Sequence, residues 1–143
     1  MQKVVACIFE KKGKFLLEKR RDNEDNYADL WTFPMGHARF FETKKHAVKR
    51  EMFEELNIWI KSKDLIFLGG FIDKDPTSKK DYKFYVYLCK KYSGKITQTY
   101  EQEKISWLNF TNIRRKEKNL SEIAKKVIIR LKKHKIRKTK KKG

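Results

Sequence analysis

The sequence predicts an α/β domain, a mixed sheet with helices packed on its faces. Three observations carry this: strand-length apolar runs recur along the chain, a segment free of glycine and proline follows the first of them, and an amphipathic repeat closes the sequence. At 143 residues a single core is expected, because two cores would each fall near the size at which burial becomes marginal.

Val4 to Phe9 and Phe15 to Lys19 are apolar-rich runs separated by Lys11-Lys12-Gly13-Lys14, the pattern of a two-strand hairpin. Arg21 to Asp29 is polar and turn-forming, and WTFP at 31–34 reads as a short strand ended by proline. From Thr43, a good N-cap, helix-forming residues run to Leu56, and Asn57 tolerates the left-handed conformation of a C-terminal cap. Leu65 to Ile72, Tyr82 to Cys89 and Lys95 to Thr99 read as further strands, with turns at Asp75-Pro76 and Ser93-Gly94. Leu120, Ile123, Ala124, Val127, Ile128 and Leu131 recur at helical spacing and predict a terminal helix. The domain is expected to span 1–131, with 132–143 (KKHKIRKTKKKG) a disordered basic tail.

No apolar run approaches the roughly 18 residues of a membrane span, and the first apolar run is too short for a signal peptide. A cytoplasmic protein with no membrane partner is expected. Cys7 and Cys89 stand in strand-like runs in no metal-binding spacing, so both are read as reduced, buried thiols. The formal charge is +19, and residues 114–143 carry +13 of it. A basic segment of this kind is the electrostatic footprint of a polyanion partner, RNA among them.

Against that background the helix after Thr43 carries Glu51, Glu54 and Glu55. At about 100° per residue the three carboxylates share one face, beside an apolar stripe of Val48, Met52 and Leu56. Like charges at this spacing repel, so gathering them calls for a cation. Hard oxygen ligands suit Mg²⁺, or Mn²⁺ in its place.

Gly36, Glu42 and the run Arg50-Glu51-Met52-Phe53-Glu54-Glu55-Leu56-Asn57-Ile58 resemble the Nudix box, G-x5-E-x7-R-E-U-x-E-E-x-G-U with U aliphatic. The chain departs from the pattern at Asn57, where the family has glycine, and just before it at Met35, where many members also have glycine. FLLEKR, WTFP and EQEKISW stand where a MutT-like Nudix domain has similar segments. The resemblance implies an α/β/α sandwich with the box as loop–helix–loop, and hydrolysis of a nucleoside diphosphate linked to another group. It implies Glu54 and Glu55 as metal ligands, Glu51 as a further ligand or the general base, and Arg50 and Glu42 as residues that orient the loops. Gly36 and Asn57 would be structural. A later carboxylate, Glu101 in preference to Glu103, would complete the metal set.

Arg20, Arg21, Arg39 and Lys19 are candidate phosphate contacts. Trp31 and Phe33 are candidate base-stacking rings, with core packing the expected role of at least one. His37, beside the box glycine, has no partner pattern, and His46 and His134 are expected at the surface. The leading substrate is a nucleoside triphosphate or other small nucleotide. A diadenosine polyphosphate or an RNA 5′ end is the alternative within the enzyme class, and a nucleic-acid-binding protein without catalysis is the alternative outside it. The oligomeric state stays open, leaning to a monomer.

Overall fold

The computed structural model describes residues 1–20, 30–74, 79–100 and 102–142. The polar segment 21–29 and the Asp75-Pro76 turn read from the sequence lie outside the described residues.

The chain folds as β1 (Gln2–Lys11), β2 (Lys14–Arg20), β3 (Trp31–Thr32), β4 (Met35–His37), α1 (Lys44–Leu56), β5 (Leu65–Lys74), β6 (Asp81–Cys89), β7 (Gln102–Leu108), α2 (Phe110–Arg115) and α3 (Glu122–Lys142). Strand β1 is apolar on both faces, as a central strand must be. Val4, Ala6 and Ile8 enter one buried cluster and Val5, Cys7 and Phe9 the other. The first cluster is closed by Ile123, Ala124, Val127, Ile128 and Leu131 of α3, the second by Ala47, Val48, Met52 and Leu56 of α1. Two helices thus clamp one sheet, the α/β/α sandwich expected.

Lys12 (φ 52°) and Gly13 (φ 75°) turn the β1–β2 hairpin through the left-handed conformations such turns require. The strands pair only at Glu10↔Phe15 and Lys11↔Lys14, then part. Beyond that point β2 pairs antiparallel with β7 and with β3. β1 runs parallel to β6 and takes β4 on its other edge, with Val5 opposite Gly36. The divergence opens the slot into which β4 brings the box glycine.

Three readings are corrected. Lys95–Thr99 is not a strand: the Thr97 N–H donates to the Leu56 carbonyl (3.3 Å), and the open edge of β2 is filled instead by Gln102–Leu108. Residues 132–142 continue α3 as helix rather than forming a disordered tail, and Lys135 bonds Glu10 of β1. His134 is half-buried, and burial first, then the nearby Lys138, Lys135 and Lys90, pushes its pKa down.

Candidate active site

The site is built where β4 meets α1. Cys7 N–H donates to the Pro34 carbonyl and Ala38 N–H to the Lys3 carbonyl (3.0 and 2.9 Å), so Met35–His37 is tied to β1 on both sides. The apolar stripe of α1 fixes the helix over the same sheet face, which directs Glu51 at Gly36. A Cβ at residue 36 would stand 2.2 Å from both Cδ and Oε2 of Glu51. Glycine is therefore required here by the carboxyl laid across its Cα.

Arg50 organises the rest. Its Nε and Nη2 donate to the two carboxylate oxygens of Glu42 (2.7 and 2.8 Å), and Nη2 also reaches the His37 carbonyl (3.0 Å). Nη1 donates to Glu51 Oε1 (2.8 Å) and Glu54 Oε2 (3.3 Å). Glu42 further accepts from the Arg39 N–H (2.9 Å) and shares a hydrogen bond with His46 Nδ1 (2.9 Å). The Arg50 bonds, outweighing burial and helped by Arg39 and His46, hold the Glu42 carboxyl down at about 2. Arg50 is raised further above its usual range, first by Glu42 and then by Glu51. The pair is a fixed bracket between the 37–42 loop and α1.

Thr43 Oγ1 accepts from the His46 N–H (3.1 Å) to begin α1, and Asn57 (φ 59°, ψ 44°) ends it in the left-handed conformation with its N–H on the Phe53 carbonyl.

Of the carboxylates on α1, Glu55 is buried, Glu51 half-buried, and the Glu54 side chain 50% exposed. Among the described residues no three His, Cys, Asp or Glu side chains converge to enclose a metal. The donor set nevertheless fits Mg²⁺ or Mn²⁺ chemically. It consists of hard carboxylate oxygens, and Glu51 and Glu54 already share one positive group at Arg50 Nη1.

Other candidates are dispersed. Glu101, Arg21 and the Arg20 side chain lie outside the described residues. Glu103 faces Lys19 (3.5 Å) in a half-exposed ion pair on the β2–β7 ladder. Phe33 is not a stacking ring: it is 1% exposed in the cluster under α3. Trp31 is half-buried against the same cluster, with Lys116 Nζ 4.6 Å from its ring centre. His46 lies at the surface as expected, its side chain 63% exposed, and is also bonded to Glu42 of the box. Sequence reading missed Glu18 and Gln102, both wholly buried polar side chains. Glu18 breaks the apolar alternation of FLLEKR on the face shared with Leu16, which was a legible signal; Gln102 gave none.

A NUDIX domain family model matches residues 1–131. CTP pyrophosphohydrolase from Escherichia coli (strain K12) is 43% identical over 58 residues, 41% of this chain and 42% of that protein. The chain spans only a third to just under half of the curated relatives it matches. Among solved structures, a NUDIX hydrolase from Nitrosomonas europaea superposes with a TM-score of 0.77 at 17% identity, over 93% of this chain and 89% of that one. A MutT NUDIX hydrolase from Burkholderia pseudomallei gives 0.73 at 22% identity, over 92% and 95%. The structural likeness establishes the fold; together with the match along residues 1–131 and the glycine–glutamate–arginine bracket, it shows that the chain belongs to the NUDIX domain family.

Proposed function

We propose that the chain is a divalent-cation-dependent pyrophosphohydrolase that cleaves a nucleoside diphosphate linked to a further group, with a nucleoside triphosphate or other small nucleotide as substrate. The observation that carries this is the placement of Glu51 over Gly36 by an arginine bracketed to Glu42. Such a bracket holds a cluster of negative charge in one geometry before substrate arrives, which is where catalytic electrostatics gains over water. The Escherichia coli relative, a CTP pyrophosphohydrolase, is an enzyme of the same class.

Glu54 and Glu55, joined by Glu101, would hold Mg²⁺ or Mn²⁺, which when bound offsets the charge of the pyrophosphate and lowers the pKa of a water. Water oxygen adds to phosphorus, the P–O bond of the anhydride breaks, and the bridging oxygen leaves on the second phosphate. Glu51, with its side chain 14% exposed, takes up the proton of the attacking water. Arg50 keeps Glu51 and Glu54 oriented and couples them to the 37–42 loop. Arg39, Arg20 and Arg21 supply positive charge for the remaining phosphates.

The test is a panel of nucleotide substrates with Mg²⁺ or Mn²⁺, run on the wild-type chain and on Glu54→Gln and Glu55→Gln. The expected result is turnover by the wild type, a loss of several orders of magnitude in both variants, and a cation-induced rise in Tm that the variants lack. Near-normal turnover by both variants would sink the assignment.

A further inference from the structure

A cavity of about 550 Å³ opens directly beside the box. Its walls include Lys3 of β1, His37 of β4, Ala38, Arg39 and Phe40 of the following loop, and Lys44, the first residue of α1. It starts where the box bracket ends, since His37, whose carbonyl accepts from Arg50, is one of its lining residues. Among the described residues the lining holds three cationic side chains and no carboxylate. Lys44 and Lys83 both lie over the Tyr85 ring, at 4.9 and 5.3 Å from its centre, which gathers more like charge on this side. Such a group repels itself until an anion enters.

The second feature is apolar. Phe40 is 99% exposed and Phe41 74%, with their rings edge to face at 6.3 Å. The loop carrying them is tightly held: Ala38 N–H is bonded to β1, Arg39 N–H to Glu42 Oε1, and Glu42 N–H to the Arg39 carbonyl (2.9, 2.9 and 3.1 Å). The rings therefore stand in water on a rigid mount. Cations that track phosphate, combined with an aromatic face that takes any base, are how proteins hold nucleotides without reading sequence. Because the mount is already fixed, stacking costs the ring's own rotamer freedom but no ordering of the loop.

We propose that this cavity binds a second nucleotide of the substrate, its phosphate on Lys3, Arg39 and Lys44 and its base against Phe40. Binding here does not require catalysis, but the role as substrate subsite rests on the pyrophosphohydrolase reading above. The same chemistry is offered by a dinucleoside polyphosphate and by the 5′ end of an oligonucleotide.

The kinetic test compares kcat/KM on a nucleoside triphosphate, a dinucleoside tetraphosphate and a 5′-triphosphorylated tetranucleotide, for the wild type, Lys3→Ala, Phe40→Ser and Lys118→Ala, a charge control on the exposed segment between α2 and α3. Lys3→Ala and Phe40→Ser are each expected to lose tenfold or more on a two-nucleotide substrate relative to the triphosphate. The substrate that suffers identifies the source of the second nucleotide. Equal losses on all three substrates, or losses matched by Lys118→Ala, would overturn the inference. A second measurement separates it from the proposed activity: a nucleoside 5′-monophosphate, titrated in chelator and followed by amide NMR, is expected to shift Lys3, Phe40 and Lys44. No shift at these residues overturns the subsite even if hydrolysis is found. Shifts in a chain that hydrolyses nothing leave the subsite standing and remove the activity.

Discussion

Gly36 and Glu51 show how one missing atom can set a site. Because the atoms a Cβ would meet are the far end of a flexible side chain, Gly36→Ala is expected to displace the carboxyl and leave the fold. Its hydrolysis should fall by orders of magnitude while its Tm stays within a few degrees of wild type; a comparison of the two readouts decides it. Glu42 gives the pH dependence at this scale. Its carboxyl is held at about 2 against an ordinary value of 4.5, so the folded state favours the ionised form. That contribution is fully present above about pH 4.5 and is lost as pH falls through about 2. The stability difference between wild type and Glu42→Gln, from denaturant titrations at pH 7, 4 and 3, is expected to be constant at the top of this range and to shrink below it. A difference that does not change with pH would show that the bracket does not depend on the Glu42 charge.

At the level of elements, α1 is fixed at both ends by local chemistry, and its closing residue can be tested. Asn57→Gly is expected to be tolerated, whereas Asn57→Val should cost on the order of 1–2 kcal/mol, because a β-branched residue resists positive φ; matched thermal melts of the two variants check this. Local chemistry is also why this helix, its caps and the hairpin at Lys12-Gly13 were legible in the sequence. The box was legible for the same reason, since its residues lie on one loop and one helix. The segment 95–99 was misread because its strand-like composition carries no record of which partner is available. Its backbone bonds to the end of α1, and β2 had one open edge, which β7 took. That Phe33 rather than Trp31 would be the fully buried ring was not legible for a similar reason: nearness in sequence to the box does not say which side of the sheet a ring faces. The course of α3 was set by distant contacts too. Lys132 and Lys135 lie over the rings of Phe110 and Phe15, and Lys135 bonds Glu10. Deletion after Leu131 is therefore expected to cost about 1 kcal/mol, the worth of one partly buried ion pair, whereas deletion after Arg137 should be nearly neutral. Urea titrations of the two truncated chains separate the outcomes.

For the whole molecule, the formal charge of +19 understates how basic the surface is, because Glu18, Glu42 and Glu55 are buried while no lysine or arginine is buried to that degree among the described residues. Polyanions of any kind are drawn to such a surface at low salt, and at physiological salt the attraction fades within about 8 Å. Selectivity must therefore come from contact geometry in the clefts. No helix among the described residues is long and apolar enough to cross a membrane. The position of β1 matters in another way, through the order of synthesis. Its parallel partner β6 begins at Asp81, so at roughly 5–20 residues per second the ribosome takes several seconds to supply it after β1 has emerged. During that interval α1 can cover the Val5, Cys7 and Phe9 face, but the Val4, Ala6 and Ile8 face waits for α3 and the β6 edge stays open. Lys3, Lys11, Lys12 and Lys14 flank the run and act as gatekeepers against pairing with a second nascent chain. Part of the lysine excess thus protects the growing chain before there is a site to serve.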